Sequence, residues 1–461
     1  YGNSGYKKIS YGDSDDSFTT TMSLDNSRTV WMSGYRQASD TSKIIISAVD
    51  DEGESFEGEE SDDGGHFENG KHTISYTSTP SDDTAVKTLR IMNGSHAGKF
   101  LVASRANANN SNDIVLTRFT SDGALDSSFD SDGHKQVKIG EDVEVVGLIE
   151  LTSGKFIVYG NITEESIVNG IIAKLDGEGN LDSSFATNGI YTTEGISANE
   201  IVFNQAAVDS NNSIVAVGTL DGGSFILRLN NGGSLDTNFS SNGHNSANSS
   251  VVYNTLVIDG SNNIFVGGYR TSKMHITKYT EDGSFDNSFS DNGIVLFDAN
   301  PTADDFIKRV LIDSSSSIYL VGGDLATPNK VIIAKLSAAG LLDTSFSGDG
   351  VASFVMAPSN SNASVKDAVL DSSNNIIVIG SSEMSGVNKP MIGRIKPDAT
   401  LDSTFNNTGF FNSESCASTA GLTSLLLLDD TNLVVAGECL NNIDTSLKND
   451  IELTHYQLIE P

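Results

Sequence analysis

The feature of this sequence that most constrains its fold is a short motif that recurs in one fixed frame. The segments "GALDSSFDSDGH" at 123–134, "GSLDTNFSSNGH" at 233–244 and "GSFDNSFSDNGI" at 283–294 are three of its copies. Each copy has an Asp, a Phe three residues later and a Gly four residues after the Phe. The copies comprise Asp126, Phe129 and Gly133; Asp182, Phe185 and Gly189; Asp236, Phe239 and Gly243; Asp286, Phe289 and Gly293; Asp343, Phe346 and Gly350; and Asp402, Phe405 and Gly409. Such a chain is organised by repeated units.

The spacing of the motif indicates what kind of unit is repeated. Successive motif Asp residues are 50 to 59 residues apart, longer than most helical repeats and close to the length of a four-stranded propeller blade. Apolar runs such as "FIVYG" and "IVAVG" recur once in each interval and are typical of strands buried on both faces. The sequence therefore predicts an all-β fold, a β-propeller.

Counting the apolar runs predicts eight four-stranded blades, and seven blades with an extra hairpin is the alternative. We expect the motif to link the outer strand of one blade to the first strand of the next. Both ends of the chain then fall at repeat boundaries, which predicts closure without strand exchange. The single propeller domain, 1–461, would consist of repeats at approximately 1–69, 70–133, 134–189, 190–243, 244–293, 294–350, 351–409 and 410–461.

The fixed residues of the motif suit structural roles. Asp closes turns by accepting a bond from the backbone amide two residues on, and Gly allows a positive φ. A Phe buried between blades contributes roughly 1.5–3 kcal/mol, and Asp236→Ala should destabilise the fold. A base stands eight residues before each Asp, and we expect it to pair with the Asp or to contact the same linker. These bases are Arg118, Lys174, Arg228, Lys278, Lys335 and Arg394.

The motif resembles the bacterial delta-60 repeat, a predicted propeller-blade repeat with a Leu-Asp-x-x-Phe core followed by Gly. "LDSSFDSDG" and "LDTNFSSNG" match it, and Phe285 replaces the Leu in one copy. The family often has Gly directly after the Phe, so this chain resembles a divergent member. In the six copies that position holds Asp130, Ala186, Ser240, Ser290, Ser347 and Asn406. The resemblance implies a secreted or surface-exposed bacterial protein with no established reaction, so it supplies no catalytic residue.

The charge of the chain restricts its partners. Asp and Glu number 61 against 28 Lys and Arg, which gives a net charge of −33. This charge repels phosphate backbones and argues against a nucleic-acid partner, while it attracts divalent cations. No apolar run approaches the roughly 18 residues that a membrane span needs. The chain begins at Tyr1 without a leader, which predicts a processed chain or an excised fragment.

The loops indicate where binding would take place. The motif and short turns such as "DSNNS" are regular and share one end of the blades, whereas loops such as "NITEESIVNG" and "SSEMSGVNKP" at the other end vary. Because loops on rigid scaffolds carry function, this variable-loop end is the candidate recognition surface; unconstrained loop drift is the alternative. Tyr35, Arg36, Tyr269 and Arg270 lie there and suit stacking and hydrogen bonding to a sugar or peptide, or are simple rim residues.

Metal binding and a disulfide rest on narrower signals. Glu59, Glu60, Asp62 and Asp63 in an acidic insertion supply the oxygens that Ca²⁺ prefers, but the spacing departs from a calcium loop, and a solvated insertion is the alternative. Cys416 and Cys439 are either buried thiols or a disulfide, which would indicate an extracytoplasmic location. The seven histidines show no H-E-x-x-H or similar metal-binding spacing, and no nucleophile elbow, P-loop or CxxC motif is present.

These observations favour a secreted or cell-surface, non-enzymatic binding or adhesion module. Its variable-loop end would bind a glycan or a cell-surface protein. A structural subunit of a surface layer, filament or fibre, formed by self-assembly, is the alternative. A polysaccharide-active enzyme is a third interpretation, which rests on fold analogy alone.

Overall fold

A computed structural model describes residues 6–9, 16–24, 30–38, 41–49, 71–74, 84–108, 111–121, 124–140, 142–246, 250–357, 361–412, 420–429, 432–444 and 446–457. These residues form β-strands joined by turns. The strands are β1 Tyr6–Ile9, β2 Asp16–Leu24, β3 Val30–Ala38, β4 Thr41–Val49, β5 Lys71–Ile74, β6 Thr84–Arg90, β7 Phe100–Ala108, β8 Ser111–Phe119, β9 His134–Val137, β10 Val143–Glu150, β11 Phe156–Glu164, β12 Ile167–Leu175, β13 Ile190–Thr192, β14 Ile201–Val208, β15 Ile214–Leu220, β16 Gly223–Leu229, β17 His244–Ser246, β18 Val251–Ile258, β19 Ile264–Arg270, β20 Lys273–Tyr279, β21 Ile294–Phe297, β22 Asp305–Ile312, β23 Ile318–Asp324, β24 Val331–Leu336, β25 Val351–Phe354, β26 Ala363–Leu370, β27 Ile376–Met384, β28 Val387–Ile395, β29 Phe410–Asn412, β30 Ala420–Asp429, β31 Asn432–Asp444 and β32 Ser446–Gln457.

The described strands form eight four-stranded antiparallel sheets, and the chain divides into two compact units. The second unit holds β14–β17, β18–β21, β22–β25 and β26–β29. The first unit holds β2–β5, β6–β9, β10–β13 and the sheet of β30, β31, β32 and β1, apart from the first residues of β30. The predicted fold class, an all-β propeller of four-stranded blades, is confirmed.

The N-terminal strand belongs to the sheet formed by the end of the chain. Strand β1 pairs antiparallel with β32, from Tyr6 opposite Thr454 to Ile9 opposite Ile451. The prediction of closure without strand exchange is therefore wrong. The physical reason is that pairing with β1 covers the edge of β32 that would otherwise have unpaired backbone groups.

The motif lies within a sheet, between its third and fourth strands. The strand after the first motif copy, β9, pairs back with β8, and Thr117 stands opposite His134. The prediction that the motif links two blades is wrong, because a bond from the Arg118 N–H to the Gly133 carbonyl returns the chain to the strand that it has just left. Each sheet therefore begins one strand later than the corresponding predicted repeat.

The first strand of seven sheets carries a β-bulge at an equivalent position. In the second unit, the pairing shifts between Phe203 and Gln205, Tyr253 and Thr255, Ile307 and Arg309, and Val365 and Asp367. The extra residues there are Asn204, Asn254, Lys308 and Lys366. Since a bulge redirects the side chain of its extra residue, these four positions are comparable from sheet to sheet.

The core lies between neighbouring sheets within each unit. Every residue of β16, and of β23, is buried, which explains why these strands are continuous apolar runs rather than alternating ones. The part of the chain that the structure describes contains no helix with the length and hydrophobicity to cross a membrane.

Candidate functional site

The motif forms one hydrogen-bonded loop that all six copies share. In the first copy, the Asp126 N–H donates to the Arg118 carbonyl at 2.9 Å and the Phe129 N–H donates to the Asp126 carbonyl at 2.8 Å. The Gly133 N–H donates to the Phe129 carbonyl at 2.8 Å. The six motif Gly residues have φ between 82° and 94°, a region that favours Gly.

The motif Asp side chain closes the turn. Its Oδ1 accepts the backbone N–H two residues on, at 3.0–3.3 Å in all six copies. In five copies the same oxygen also accepts a hydroxyl from that residue, at 2.5–2.8 Å; the donors are Ser128, Ser184, Ser288, Ser345 and Thr404. Asn238 is the exception. Sequence reasoning overlooked this hydroxyl, although its position in the repeat is visible.

The structure brings the motif Asp and its base together in five copies. Arg118 Nε lies 2.5 Å from Asp126 Oδ2. The Lys278–Asp286 and Lys335–Asp343 pairs measure 2.8 and 3.0 Å, and the Arg228–Asp236 and Arg394–Asp402 pairs each measure 3.4 Å.

Asp182 is held differently. Its Oδ2 accepts from Lys155 at 2.8 Å, while Lys174 interacts with it at longer range. Lys99 reaches Asp126 in the same way, at 2.6 Å. Both lysines stand in a "GKF" segment before the second strand of their sheet, a signal that sequence reasoning did not use.

These contacts fix the charge of the motif carboxylates. Burial alone would raise the pKa of Asp126, but hydrogen bonds from Lys99, Ser128 and Arg118 outweigh it and hold that pKa well below its usual range. The hydrogen bonds from Lys155 and then Ser184 lower the pKa of Asp182 to about 2. Both groups stay ionised at neutral pH, so neither is suited to act as a general acid.

The motif also fastens neighbouring sheets to each other within each unit. The Phe239 ring is fully buried beneath Gly283 of the next sheet, where an added Cβ would stand 2.6 Å from it. The N–H of Ser240 donates to the Asp282 carbonyl at 2.8 Å. In the first unit, Arg118 Nη1 donates to the Gly177 carbonyl of the next sheet at 2.9 Å. The motif end of the sheets thus uses its charged and aromatic side chains in packing.

The residue directly after the motif Phe is the position at which this chain departs from the resembled family, which often has Gly there. Asp130, Ala186, Ser240, Ser290, Ser347 and Asn406 all have φ between 44° and 60°. This left-handed region is one that Gly enters without the steric cost of a Cβ. A Gly at this position, as the delta-60 repeat often has, would therefore fit the backbone of every copy.

The opposite, variable-loop end joins second to third strands and fourth to next first strands. Four of its hairpins are two-residue turns in which both residues have positive φ: Glu165-Ser166, Asp221-Gly222, Thr271-Ser272 and Ser385-Gly386. The prediction of variable loops is wrong at these four turns, because each connecting loop has only two residues. The segments that differ in sequence there are the ends of the paired strands, which extend by different lengths. The segment 325–330 between β23 and β24, and the connection at 298–304 between β21 and β22, are longer than these turns.

Tyr269 and Arg270 lie at this end, at the last positions of β19. The Tyr269 side chain is 37% exposed and Arg270 is half-buried. Burial, and secondarily the charge of Arg270, lower the pKa of the buried His275 to about 4. Lys273, after the turn, pairs with Asp298 at 3.3 Å. Because successive strand residues point to opposite faces of a sheet, Tyr269 lies on one face of β19, and Arg270 lies on the other, which also carries the neutral His275 imidazole.

Two buried carboxylates organise the next sheet at the same end. Asp305 stands directly opposite Asp324 in the pairing of β22 with β23. Asp305 Oδ2 accepts the N–H groups of Ala299 and Asn300, at 2.7 and 3.0 Å, and Asn300 Nδ2 donates to Asp324 Oδ2 at 2.7 Å. Asp305 Oδ1 is buried without a hydrogen-bond partner among the described residues. Sequence reasoning missed this pair.

Asp305→Asn is expected to raise the free energy of unfolding at pH 7. Burial raises the pKa of Asp305, two backbone N–H bonds lower it, and the charges of Asp298 and Asp324 raise it; the outcome is a raised pKa. A raised pKa means that the protonated form folds better, so the wild type gains stability as pH falls and loses it as pH rises through that pKa. Asn is neutral at every pH and still accepts both N–H bonds.

Chemical denaturation at pH 7 and pH 4.5 measures this effect, with Asp182→Asn as the control. Asp182 has a lowered pKa, so its replacement should destabilise the protein at pH 7. An Asp305→Asn variant that is less stable than the wild type at pH 7 would contradict the argument.

Other predicted site residues lie wholly or partly outside the described residues. Tyr35 and Arg36 are in β3, opposite Phe18 and Ser17, but their side chains are not described. Cys439 stands opposite Asp450 in β31 and β32, again without a described side chain. The remaining residues outside the described ranges are Glu59, Glu60, Asp62, Asp63 and Cys416. Within the described ranges, no group of three His, Cys, Asp or Glu residues is arranged to hold a metal ion.

Comparison with known sequences supports the repeat. Residues 98–129, 210–239 and 260–289 match a β-propeller domain of unknown function, DUF5122. Each match ends at a motif Phe, namely Phe129, Phe239 and Phe289, so it covers the second strand, the third strand and the start of the motif. Comparison with curated proteins gives no match.

Comparison with solved structures supports the fold. Sqt1 from Chaetomium thermophilum is similar over 98% of both chains, with a TM-score of 0.52 and 9% identity. A Dyadobacter fermentans protein of unknown function is similar over 98% of this chain and 100% of its own, with a TM-score of 0.40 and 11% identity. A PL25 ulvan lyase is similar over 98% and 96%, with a TM-score of 0.43 and 8% identity. At 9% identity, the likeness to Sqt1 concerns the fold alone.

Proposed function

We propose that this chain is a secreted or cell-surface, non-enzymatic binding or adhesion module whose variable-loop end binds a glycan or a cell-surface protein. The observation that carries the proposal is the contrast between the two ends of the sheets. At the motif end, the recurrent charged and aromatic side chains are used in turns and in contacts between sheets. The variable-loop end differs from sheet to sheet and exposes Tyr269 and Leu325; Leu341 and Phe285 are exposed at the motif end as well, so the contrast lies in the sheet-to-sheet differences and not in exposure alone.

The corner at Tyr269 and Arg270 is the proposed contact point. A partly exposed tyrosine ring offers a flat apolar surface with a hydroxyl at its edge. The guanidinium of the adjacent Arg270 offers several donors in a fixed plane. Each of these side chains suits contact with a sugar that bears hydroxyl or carboxylate groups, and Tyr35 with Arg36 repeats the same residue pair in another sheet.

The location and the cation are parts of the same proposal. The motif resembles the bacterial delta-60 repeat, a more specific likeness than the match to a β-propeller domain of unknown function. This resemblance favours a bacterial surface or secreted protein. A Cys416–Cys439 disulfide would suit that location. Ca²⁺ bound by Glu59, Glu60, Asp62 and Asp63 would reduce the negative charge of the chain near its partner. The same charge argues against a nucleic-acid partner.

A glycan array that carries neutral, uronic-acid and sulfated oligosaccharides tests the proposal, with Ca²⁺ or EDTA in parallel. We expect binding to a restricted set of glycans and at least about a ten-fold loss of affinity in Tyr269→Ala and Arg270→Ala, equivalent to about 1.4 kcal/mol. Leu341→Ala is the matched control, because Leu341 is 61% exposed but lies at the motif end. An absence of binding in both conditions would contradict the glycan proposal and favour a protein partner or self-assembly.

A further inference from the structure

Two lysines occupy equivalent positions on neighbouring first strands of the second unit. Lys308 is the extra residue of the β22 bulge and Lys366 is the extra residue of the β26 bulge. Both side chains are exposed. Neither forms a hydrogen bond or an ion pair with the part of the chain that the structure describes. Arg309, next to Lys308, is paired with Asp367 at 2.5 Å.

The same bulge position is used differently in the two preceding sheets. Asn204 Nδ2 donates to the Tyr253 carbonyl of the next sheet at 2.8 Å, and Asn254 Nδ2 donates to the Ile307 carbonyl of the sheet after it at 3.2 Å. Asn at the bulge therefore connects one sheet to the next. The next two bulges have Lys in place of this Asn. Each of them therefore lacks the contact between sheets and carries an ammonium group instead.

The surroundings of these lysines are unusually basic for this chain. Lys308, Arg309 and Lys366 lie close together, whereas the whole chain has 61 acidic residues and 28 basic ones. Burial lowers the pKa of Lys308, and the charges of Lys366 and Arg309 lower it further, against Asp367. Two like charges held close together repel each other.

We propose that Lys308 and Lys366 form an anion-binding site that takes one carboxylate or sulfate group, from an acidic sugar or from the free ion. An oxyanion between the two ammonium groups would replace their repulsion by two charge-assisted hydrogen bonds. The site goes beyond the proposed function, because it lies on the first strands of two sheets and not on the loops at Tyr269.

The test uses the full chain and a double variant, Lys308→Asn with Lys366→Asn. Asn is the residue at the equivalent bulges of the two preceding sheets, so the double variant is expected to fold. Sodium sulfate and sodium glucuronate are titrated separately by calorimetry at low ionic strength, with sodium chloride as the reference. Lys138→Asn is the matched control, since Lys138 is exposed and lies beyond the outer strand β9.

We expect saturable binding of sulfate, glucuronate or both by the wild type and by Lys138→Asn, and at least about a ten-fold loss of affinity in the double variant. Binding of glucuronate would identify an acidic sugar as the source, and binding of sulfate alone would identify the free ion or a sulfated sugar. The proposal is overturned if neither anion binds more tightly than chloride, or if the double variant binds as the wild type does. A melting temperature of the double variant equal to that of the wild type shows that any loss is not due to unfolding.

Discussion

Replacing Asp126 by alanine is expected to lower the free energy of unfolding by about 3–5 kcal/mol. Asp126 is buried and accepts from Lys99 at 2.6 Å, Arg118 at 2.5 Å and Ser128 at 2.6 Å. Its removal leaves the buried Arg118 guanidinium without its closest counter-charge and also opens the motif turn. Burial of an uncompensated charge is among the costliest single changes that a fold sustains. Denaturant unfolding followed by tryptophan fluorescence and circular dichroism measures the loss.

The equivalent change at Asp343 is the control. Asp343 pairs with Lys335 at 3.0 Å, but its side chain is 28% exposed, so solvent screens the pair and Asp343→Ala should cost only about 1 kcal/mol. Asp236, whose pair with Arg228 measures 3.4 Å, should lie between them. Equal losses at Asp126 and Asp343 would contradict the claim that burial of the pair sets the cost.

The stabilising contribution of Asp126 also depends on pH. Its pKa lies below the ordinary value of 3.8 in the folded chain, so the carboxylate stabilises the fold fully above that ordinary value. The contribution declines as pH falls towards the lower, folded-state pKa. The difference in stability between the wild type and Asp126→Ala should therefore shrink when the measurement is moved from pH 7 to pH 2.5.

Replacing Phe239 by alanine is the second large effect that we expect, at about 3–5 kcal/mol. The Phe239 ring is completely buried and lies against the Gly283 turn of the next sheet. Alanine would leave a cavity between two sheets whose backbones are already bonded through Ser240 and Asp282, so the cavity has little freedom to collapse. Thermal unfolding of the variant measures the loss.

Phe285→Ala is the matched control for this change. Phe285 belongs to the next motif copy, is 40% exposed and stacks on Tyr279 with ring centroids 5.1 Å apart. Because Phe285 keeps 40% of its surface exposed, it buries less apolar area than Phe239, and its replacement should cost about 1 kcal/mol. A Phe239→Ala variant as stable as Phe285→Ala would mean that the motif Phe does not hold the sheets together.

The repeat pattern predicted the fold because it fixes the period and the buried residues together. The Asp, Phe and Gly positions recur with strands of constant character between them, and few architectures other than a propeller accommodate that period. Asp126, Phe129 and Gly133 have local roles, in a turn, a buried contact and a positive φ, and local roles can be predicted from residue chemistry.

Strand pairing could not be predicted in the same way. The strands β1, "YKKI", and β9, "HKQV", have only four residues each, which is too short for a side-chain pattern to indicate which neighbour they join. Their partners are decided by backbone bonds, such as the bond from the Arg118 N–H to the Gly133 carbonyl. This is why the motif was predicted to lie between blades rather than within one.

The Asp305–Asp324 pair and the Lys308–Lys366 pair depend on the register in which strands pair, which the sequence does not reveal. Asp305 and Asp324 are far apart along the chain and meet only because β22 and β23 pair in one particular alignment. Lys308 and Lys366 are separated by about one repeat, but their equivalence requires knowledge that a bulge occurs at both positions. A charge pattern alone does not distinguish such residues from ordinary surface lysines.

The central claim is that the motif end is a scaffold and that recognition takes place at the variable-loop end. The most direct test measures the affinity of the best glycan from the array for the wild type, Tyr269→Ala and Leu341→Ala. The account predicts at least about a ten-fold loss for Tyr269→Ala and wild-type affinity for Leu341→Ala. A loss confined to Leu341→Ala, or an equal loss in both variants at unchanged stability, would contradict it.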